Sequence, residues 1–189
     1  PAEIETNIAI AIGNFDGIHK GHVKLLEAVK ERSKENNLAF AVVTFDPHPR
    51  DFFKNNNNAS FKLLDIQEKQ KLLNQIGVEY LIIIQFNENL KNCSPNDFLS
   101  EILIKNFKVS KMYAGSNFKF GKNRKGSIET AKEFALSKGL EIASIDLKKT
   151  NFKPEKGSEV ISSQTIRKLL QTGKLEIANS LLGRNWCIT

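Results

Sequence analysis

Two histidines near the start of the chain have the type and spacing of a phosphate-binding pair. His19 and His22 lie in residues 13–22 (GNFDGIHKGH), which carry a glycine at every fourth position. Glycine lets a backbone turn sharply and approach a ligand closely. A helical pattern follows at once, and the unpaired N–H groups and positive dipole of a helix start attract anions. The segment therefore predicts a site for the polyphosphate of a nucleotide.

The charge of this pair depends on what occupies the site. A helix N-terminus disfavours a positively charged imidazole while the site is empty, whereas a bound triphosphate would reverse that preference. Two alternatives stay open. One is a zinc site, but His48 is the third and last histidine and Cys93 and Cys187 are remote in sequence. The other is a pair of ordinary capping and packing residues. All three histidines follow predicted strands, which favours a functional site.

A second segment with chemical potential is residues 44–50 (TFDPHPR). Its two prolines fix the backbone and remove two hydrogen-bond donors. Such a rigid, partly apolar edge suits a flat aromatic ligand. The alternative is a stiff turn with a surface histidine, and this segment by itself favours that alternative.

A third segment, residues 114–125, joins a glycine-bracketed loop with an asparagine to three cations, Lys122, Arg124 and Lys125. Loops of this kind hold phosphate or a hydrated Mg²⁺. Basic loops with aromatic side chains also bind nucleic acid.

The fourth segment is residues 161–167 (ISSQTIR). Two hydroxyls at a helix start, with Arg167 one turn later, can clamp a phosphate through charge-assisted hydrogen bonds. The alternative is an ordinary serine N-cap beside a solvated arginine.

Strand and helix patterns alternate along the chain and must position these segments. Near-continuous apolar strands separated by helices predict an α/β fold, a Rossmann-like parallel sheet flanked by helices. Ligands of such sheets bind beyond the carboxyl ends of the strands. The predicted strands are 8–12, 39–45, 80–84, 109–114 and 142–147, and the predicted helices are 21–36, 65–76, 94–107, 127–138, 163–173 and 175–182. We expect one domain over residues 1–189, with 161–183 as a small helical C-terminal segment.

Composition narrows the class of partner. Lys plus Arg is 28 and Asp plus Glu is 21, so the net charge of +7 favours anions such as nucleotides, nucleic acid or a membrane surface. Hydrophobic residues make up 40% and charged residues 26%, as in soluble globular proteins. The longest apolar run, Tyr80 to Ile84, is far too short to span a bilayer. The polar start of the chain is unlike a signal peptide. These features predict a cytoplasmic protein without a membrane partner.

Together the four segments, in this order, closely resemble the FMN adenylyltransferase module of the prokaryotic bifunctional FAD synthetases, which also carry a riboflavin kinase module. That family belongs to the nucleotidyltransferase superfamily with an HxGH signature. GNFDGIHKGH has the form typical of FAD synthetases, since the related enzymes for pantetheine phosphate and nicotinamide mononucleotide typically have Pro where Gly17 stands. TFDPHPR and SNFKFG narrow the resemblance to flavin, and it covers nearly the whole chain.

The resemblance implies adenylyl transfer from ATP to FMN with Mg²⁺, giving FAD and pyrophosphate. It implies that catalysis involves His19, His22, Asn117 and Arg167, and that Asn117 lies by the phosphates and the Mg²⁺. Residues implied in ATP binding are Gly13, Phe15, Asp16, Gly17, His19, His22, Ser162, Ser163 and Arg167. Residues implied in FMN binding are Phe45, Pro47, His48 and Pro49.

The sequence departs from the family pattern in two places. Gln164 stands where the family usually has Thr, so no role is carried to it. Family members normally continue into the kinase module. Residues 182–184 resemble the start of the junction to that module, but the sequence stops at Thr189. We therefore expect no phosphorylation of riboflavin by these residues.

Three other functions remain open, as does the oligomeric state. The first is a related transferase with another phosphorylated acceptor. The second is a nucleic-acid-binding protein that uses the positive charge, although an aromatic–basic array of that kind is missing from the sequence. The third is a protein that binds flavin nucleotides without turnover.

Overall fold

A five-stranded parallel sheet forms the centre of the protein in the computed structural model, which describes residues 6–53, 62–145 and 161–187. The strands of this sheet are β1 (Ile8–Ile12), β2 (Ala39–Asp46), β3 (Tyr80–Gln85), β4 (Val109–Gly115) and β7 (Glu141–Ile145). They are ordered β3-β2-β1-β4-β7, and a short antiparallel pair, β5 (Lys119–Phe120) and β6 (Gly126–Ser127), lies apart from them. The expected α/β fold with a parallel sheet is confirmed.

Helices cover both faces of this sheet. The α-helices of the described residues are α1 (Lys20–Glu35), α2 (Pro49–Phe53), α3 (Ile66–Ile76), α4 (Glu88–Asn92), α5 (Pro95–Asp97), α6 (Ile128–Leu136), α7 (Ser163–Gln171) and α8 (Leu175–Leu182). A π-helix, Phe98–Lys105, continues α5, and a 3₁₀ turn spans Lys122–Arg124.

The strand order creates a crevice at the centre of the sheet. From β1 the chain moves outward to β2 and β3, then returns to the other side of β1 with β4. The loops that leave β1 and β4 therefore diverge, and a ligand crevice forms between them beyond the carboxyl ends of the strands. The segments after β1, β2 and β4, all singled out by their chemistry, meet at this edge.

The core has two layers, one on each face of β1. Alternate side chains of a strand point to opposite faces. Ile8, Ile10 and Ile12 belong to the cluster that includes the π-helix and α6, whereas Ala9 and Ala11 face α1 and α3. All five residues of β1 are buried, which explains its uninterrupted apolar sequence.

The termini of α3 follow from its flanking residues. Asp65 caps the helix, because its side chain accepts a hydrogen bond from the Glu68 amide at 2.7 Å. Gly77 ends it in the left-handed conformation (φ 95°), which glycine adopts without strain. An aspartate before a helix and a glycine after it are both residue types that mark helix ends in a sequence.

Several short elements depart from the sequence prediction. The helix expected over 94–107 is a π-helix over Phe98–Lys105, because apolar spacing over eight residues does not distinguish i→i+4 from i→i+5 hydrogen bonding. Helices α2 and α4 and the β5–β6 pair were not predicted, since elements of two to five residues carry no readable period. Residues 146–147 of the fifth predicted strand lie outside the described residues.

The two C-terminal helices pack beside the loop after β1. Ile166 and Leu169 of α7 form a buried cluster with Leu181 of α8 and with Leu63, which precedes α3. The Trp186 indole N–H donates to the Leu63 carbonyl at 3.3 Å. This cluster brings the start of α7 to the crevice. Among the described residues, no helix is both long and apolar enough to cross a bilayer.

Candidate active site

His19 and His22 form a stacked pair at the start of α1. The ring centroids are 3.6 Å apart, and the ring planes differ by 14°. His19 is the N-cap, and its Nδ1 accepts a hydrogen bond from the His22 amide at 3.2 Å. A neutral imidazole that accepts through Nδ1 carries its proton on Nε2. The capping alternative is therefore correct for Nδ1 of His19, and it leaves Nε2–H as a donor.

Burial favours the neutral form of both imidazoles. Burial lowers the pKa of His19 to about 4, with a further contribution from the positive charge of Arg184. The pKa of His22 lies well below its ordinary value, mainly because of burial and also because of the charges of His19 and Lys69. This agrees with the expectation for an empty helix N-terminus. The charge change on ligand binding stays a prediction.

His22 also carries a buried nitrogen without a partner. Its Nδ1 is shielded from solvent and makes no hydrogen bond to any described residue. Buried polar atoms are nearly always satisfied, so an unsatisfied one points to a functional group or a missing ligand. Phe15 packs edge-on against the same ring, with the centroids 5.3 Å apart.

The loop after β1 holds an unusual backbone. Phe15 (φ 45°) and Ile18 (φ 36°) adopt positive φ although neither is glycine, and both are buried. Such residues cost free energy and cluster at functional loops. Gly17 also has positive φ (84°), and a Cβ there would come within 2.9 Å of the Leu63 side chain. Both the positive φ and the close approach of Leu63 therefore favour glycine at position 17. Gly13 lies beside the Phe15 ring.

Asp16 joins three segments of the chain at this loop. Its Oδ1 accepts from the Leu63 amide at 3.1 Å, and its other carboxylate oxygen is ion-paired with Arg167. Its backbone carbonyl accepts from the Ser163 hydroxyl at 2.7 Å. With 5% of its surface exposed, Asp16 fixes the loop to α7.

These contacts revise the expectations for the start of α7. Ser162 is the N-cap of α7 and accepts a hydrogen bond from the Thr165 amide at 3.1 Å. The alternative interpretation, a serine N-cap beside a solvated arginine, is therefore correct for the serine. It is wrong for the arginine, because the Arg167 side chain is only 14% exposed and pairs with Asp16. In the ligand-free structure Ser163 and Arg167 thus have protein partners where phosphate contacts were expected.

The second segment adopts a compact turn next to the loop after β1. The Asp46–Pro47 peptide is cis, and Pro49 begins α2. His48 is half-buried rather than on the surface, its Nδ1 accepts from the Arg50 amide at 3.0 Å, and burial lowers its pKa. Phe45 is partly buried between the rings of Phe86 and Phe98, with both centroids at 6.4 Å.

A small polar recess of about 20 Å³ lies between the two segments. It brings Phe45 and His48, expected at the FMN site, together with Asp16 and Arg167, expected at the ATP site. Pro47 and Pro49 do not line it. Its walls are Asp16, Phe45, Asp46, His48, Asp51, Lys62, Leu64, Ile66, Lys69 and Arg167.

Asn117 lies on the opposite side of the crevice. It is exposed and follows β4, which pairs with β1 in the sheet. No group of three or more His, Cys, Asp or Glu side chains in the described ranges is arranged to hold a metal ion, which leaves the zinc alternative without support. Mg²⁺ is commonly held by one or two protein oxygens together with substrate phosphates and water. The amide oxygen of Asn117 fits that kind of site.

Two cations of this region were not predicted from the sequence. Lys69 of α3 is 8% exposed and donates from Nζ to the Asn14 carbonyl at 3.0 Å and to the Thr44 hydroxyl at 3.3 Å. Its position could have indicated burial, since it lies four residues before Leu73 on the apolar face of the helix. Arg184 donates hydrogen bonds to the Gly17 and Ile18 carbonyls at 2.8 and 3.2 Å, and no sequence pattern predicts that contact.

Comparison with known proteins assigns the family. A family model described as FAD synthetase matches residues 2–164. The chain belongs to the FAD synthetase family. This confirms the resemblance that the four segments indicated.

Curated proteins support the assignment to the FAD synthetase family. The bifunctional riboflavin kinase/FMN adenylyltransferase of Buchnera aphidicola subsp. Schizaphis graminum is 37% identical, with 99% of this chain and 58% of the relative covered. Proteins of the same description from Escherichia coli K12 and Bacillus subtilis 168 are each 32% identical, covering 95% and 98% of this chain and 55% and 56% of the relatives. The chain thus spans little more than half the length of these relatives.

A solved structure shows the same fold. The crystal structure of a protein described as a macrolide-efflux protein from Streptococcus pneumoniae matches with a TM-score of 0.81 at 24% identity. The match covers 98% of this chain and 60% of that one. It supports the α/β architecture of the FAD synthetase family member described here.

Proposed function

We propose that this chain transfers the adenylyl group of ATP to FMN, forming FAD and pyrophosphate. The observation that carries the proposal is the stacked histidine pair at the start of α1, where His19 presents Nε2–H and the buried Nδ1 of His22 has no hydrogen-bond partner among the described residues. Membership of the FAD synthetase family supplies the acceptor.

The reaction needs little covalent chemistry from the protein. An oxygen of the FMN phosphate attacks the α-phosphorus of ATP in line, and the bond to the bridging oxygen breaks as pyrophosphate leaves. Because the attacking group is already an anion, the step requires neither a general base nor a covalent enzyme intermediate. The protein then contributes positioning and electrostatic stabilisation.

The histidine pair would hold the polyphosphate from one side of the crevice. His19 would donate from Nε2, and the neighbouring phosphate charge would raise the pKa of both rings. Donors that are fixed in a buried site act without the reorganisation that water would need.

The start of α7 would hold phosphate from the other side. Asp16 keeps the Arg167 guanidinium at the recess in the ligand-free protein. A substrate phosphate would compete with Asp16 for this guanidinium through bidentate, charge-assisted hydrogen bonds. The Ser162 and Ser163 hydroxyls lie on the same helix start, so they are placed to assist.

The remaining expected groups complete the proposal. Phe45, Pro47, His48 and Pro49 would contact FMN from the turn after β2. Asn117 would contribute an oxygen to Mg²⁺, which neutralises phosphate charge when it is bound.

One incubation tests the proposal. The chain with FMN, ATP and Mg²⁺ should form FAD and pyrophosphate in equal amounts, measured by chromatography and a coupled pyrophosphate assay. Flavin binding without pyrophosphate release would instead establish a non-catalytic binder. Turnover with pantetheine phosphate or nicotinamide mononucleotide, but not with FMN, would establish a related transferase.

Other expectations from the sequence stay predictions. They are a cytoplasmic location, the lack of a nucleic-acid or membrane partner, and the lack of riboflavin phosphorylation by residues 1–189. Steeply salt-dependent binding of RNA or DNA would contradict the second of these. FMN formed from riboflavin and ATP would contradict the third.

A further inference from the structure

Lys69 is a buried cation that the reaction as proposed above does not use. It projects from α3 into the space between the loop after β1 and the end of β2, where its two hydrogen bonds to Asn14 and Thr44 tie it to both segments. Thr44 itself donates to the Asn14 carbonyl at 3.1 Å, which closes a triangle of contacts. The ammonium is therefore fixed in position.

Lys69 makes no salt bridge to any described residue, and the carboxylates of Asp16 and Asp46 act on it only from a greater distance. Its two neighbouring cations in the recess are paired, Lys62 with Asp46 and Arg167 with Asp16. No carboxylate of the described residues lies within 4.0 Å of the Lys69 ammonium. Burying an ammonium that makes no salt bridge costs free energy, and a bound anion next to it would lower that cost.

Lys69 also has a donor left for that anion. An ammonium carries three N–H groups, and within the described part of the chain Lys69 uses two of them. The side chain lines the polar recess, and its charge is one cause of the lowered pKa of the neighbouring His22. Lys69 thus borders the recess and lies close enough to the histidine pair for its charge to act on His22.

The position of the recess identifies the anion. One wall carries Asp16 and Arg167 of the expected ATP site, and the other carries Phe45 and His48 of the expected FMN site. In an in-line transfer, the acceptor phosphate must lie where these two sites meet. We propose that Lys69 binds the phosphate of FMN and thereby lets the enzyme distinguish FMN from unphosphorylated riboflavin.

This inference rests on the proposed function, and it competes with two other roles for Lys69. A purely structural lysine would hold the loop after β1 against β2, and its loss would weaken all ligands alike. A lysine that binds the ATP polyphosphate would affect ATP and leave the flavins unchanged. The three roles therefore differ in which ligand loses affinity.

The test compares FMN with riboflavin in the Lys69→Met variant, which keeps the length of the side chain and removes its charge. We expect FMN to bind about 10–100-fold more weakly, the loss typical of a hydrogen bond to a charged group. Riboflavin and ATP should keep their dissociation constants. Flavin fluorescence titration and calorimetry measure all three ligands, and Lys69→Arg should recover part of the preference for FMN.

Lys71→Met is the matched control, because Lys71 lies on the same helix with 70% of its side chain exposed. It should bind all three ligands as the wild type does. An unchanged ratio of FMN to riboflavin affinity in Lys69→Met would overturn the inference, as would an equal loss for ATP.

A measurement on the unaltered protein covers the case in which the variant does not fold. In nuclear magnetic resonance of ¹³C-labelled lysine, FMN should raise the pKa of Lys69 and riboflavin should not. An equal response to both flavins would overturn the inference. If the wild type forms no FAD, the proposed function fails; if it forms FAD but Lys69 does not sense the flavin phosphate, this inference alone fails.

Discussion

The loop after β1 and the loop after β4 border one crevice but are built in opposite ways. His19 and Asp16 in the first are each 5% exposed and tied by hydrogen bonds, whereas Asn117 in the second is exposed. The first loop is pre-organised, and its geometry belongs to the fold. In the loop after β4, the Asn117 side chain is exposed to solvent, so it contributes little to the stability of the fold. Changes in the first loop should therefore affect stability and activity together, and changes in the second should affect activity alone.

The largest effect should come from His22. We expect His22→Ala to lower kcat by about 10²–10³-fold, the loss typical of one well-placed donor to a developing charge. Steady-state FAD formation measures this, and circular dichroism should show that the fold is kept. Near-normal turnover in a folded variant would remove the assignment of the histidine pair.

Acid should weaken the ligand-free protein through His19. The pKa is about 4 in the folded state and 6.5 as the ordinary value, so between these limits the unfolded chain binds more protons. Stability should thus be fully present above pH 6.5 and fall by about 3 kcal/mol as the pH drops to 4. Urea unfolding of wild type and His19→Gln at several pH values isolates this contribution. A parallel pH dependence in the two proteins would contradict it.

Asp16→Asn should destabilise the protein by about 3 kcal/mol, because it removes the ion pair that Asp16 makes with the mostly buried Arg167 guanidinium. Urea unfolding measures the change. Asp46→Asn is the matched control for stability, since it breaks the half-exposed ion pair with Lys62 and should cost less than about 1 kcal/mol. Equal losses in the two variants would show that the loop after β1 is not held by this pair.

Asn117→Ala should give the smallest effect and the clearest contrast. Because the side chain is exposed, the unfolding free energy should stay within about 0.5 kcal/mol of the wild type. FAD formation should fall about tenfold through loss of one hydrogen-bonding or metal-binding oxygen. A large loss of stability would show that the two loops do not differ as proposed.

Long periodic elements of the fold were predictable from the sequence. Helix α8 was expected over 175–182 and is found there, and β1 matches residues 8–12. Capping residues such as Asp65 and Gly77 fix helix ends locally. The short helices and the π-helix escaped prediction because their residues are positioned by packing partners rather than by their own sequence period.

The candidate site was predictable in its segments but not in its contacts. His19 and His22 were recognisable from glycine spacing and a following helix. The ion pair between Arg167 and Asp16 was not recognisable, because the two residues are 151 positions apart and a pair of distant charges leaves no local sequence pattern. Lys69 lies on an apolar helix face, but one lysine at such a position does not by itself indicate burial, because lysine side chains usually extend their ammonium group to solvent.

By itself, the sequence determined the class of fold, the family and the residues available for phosphate chemistry, because apolar periods and loop motifs are properties of neighbouring residues. Tertiary structure alone decided which of those residues are buried, which nitrogen of His19 carries the proton, and which buried cation makes no salt bridge within the described part of the chain. These depend on distances between segments far apart in the chain, and burial sets the electrostatic cost of each charge.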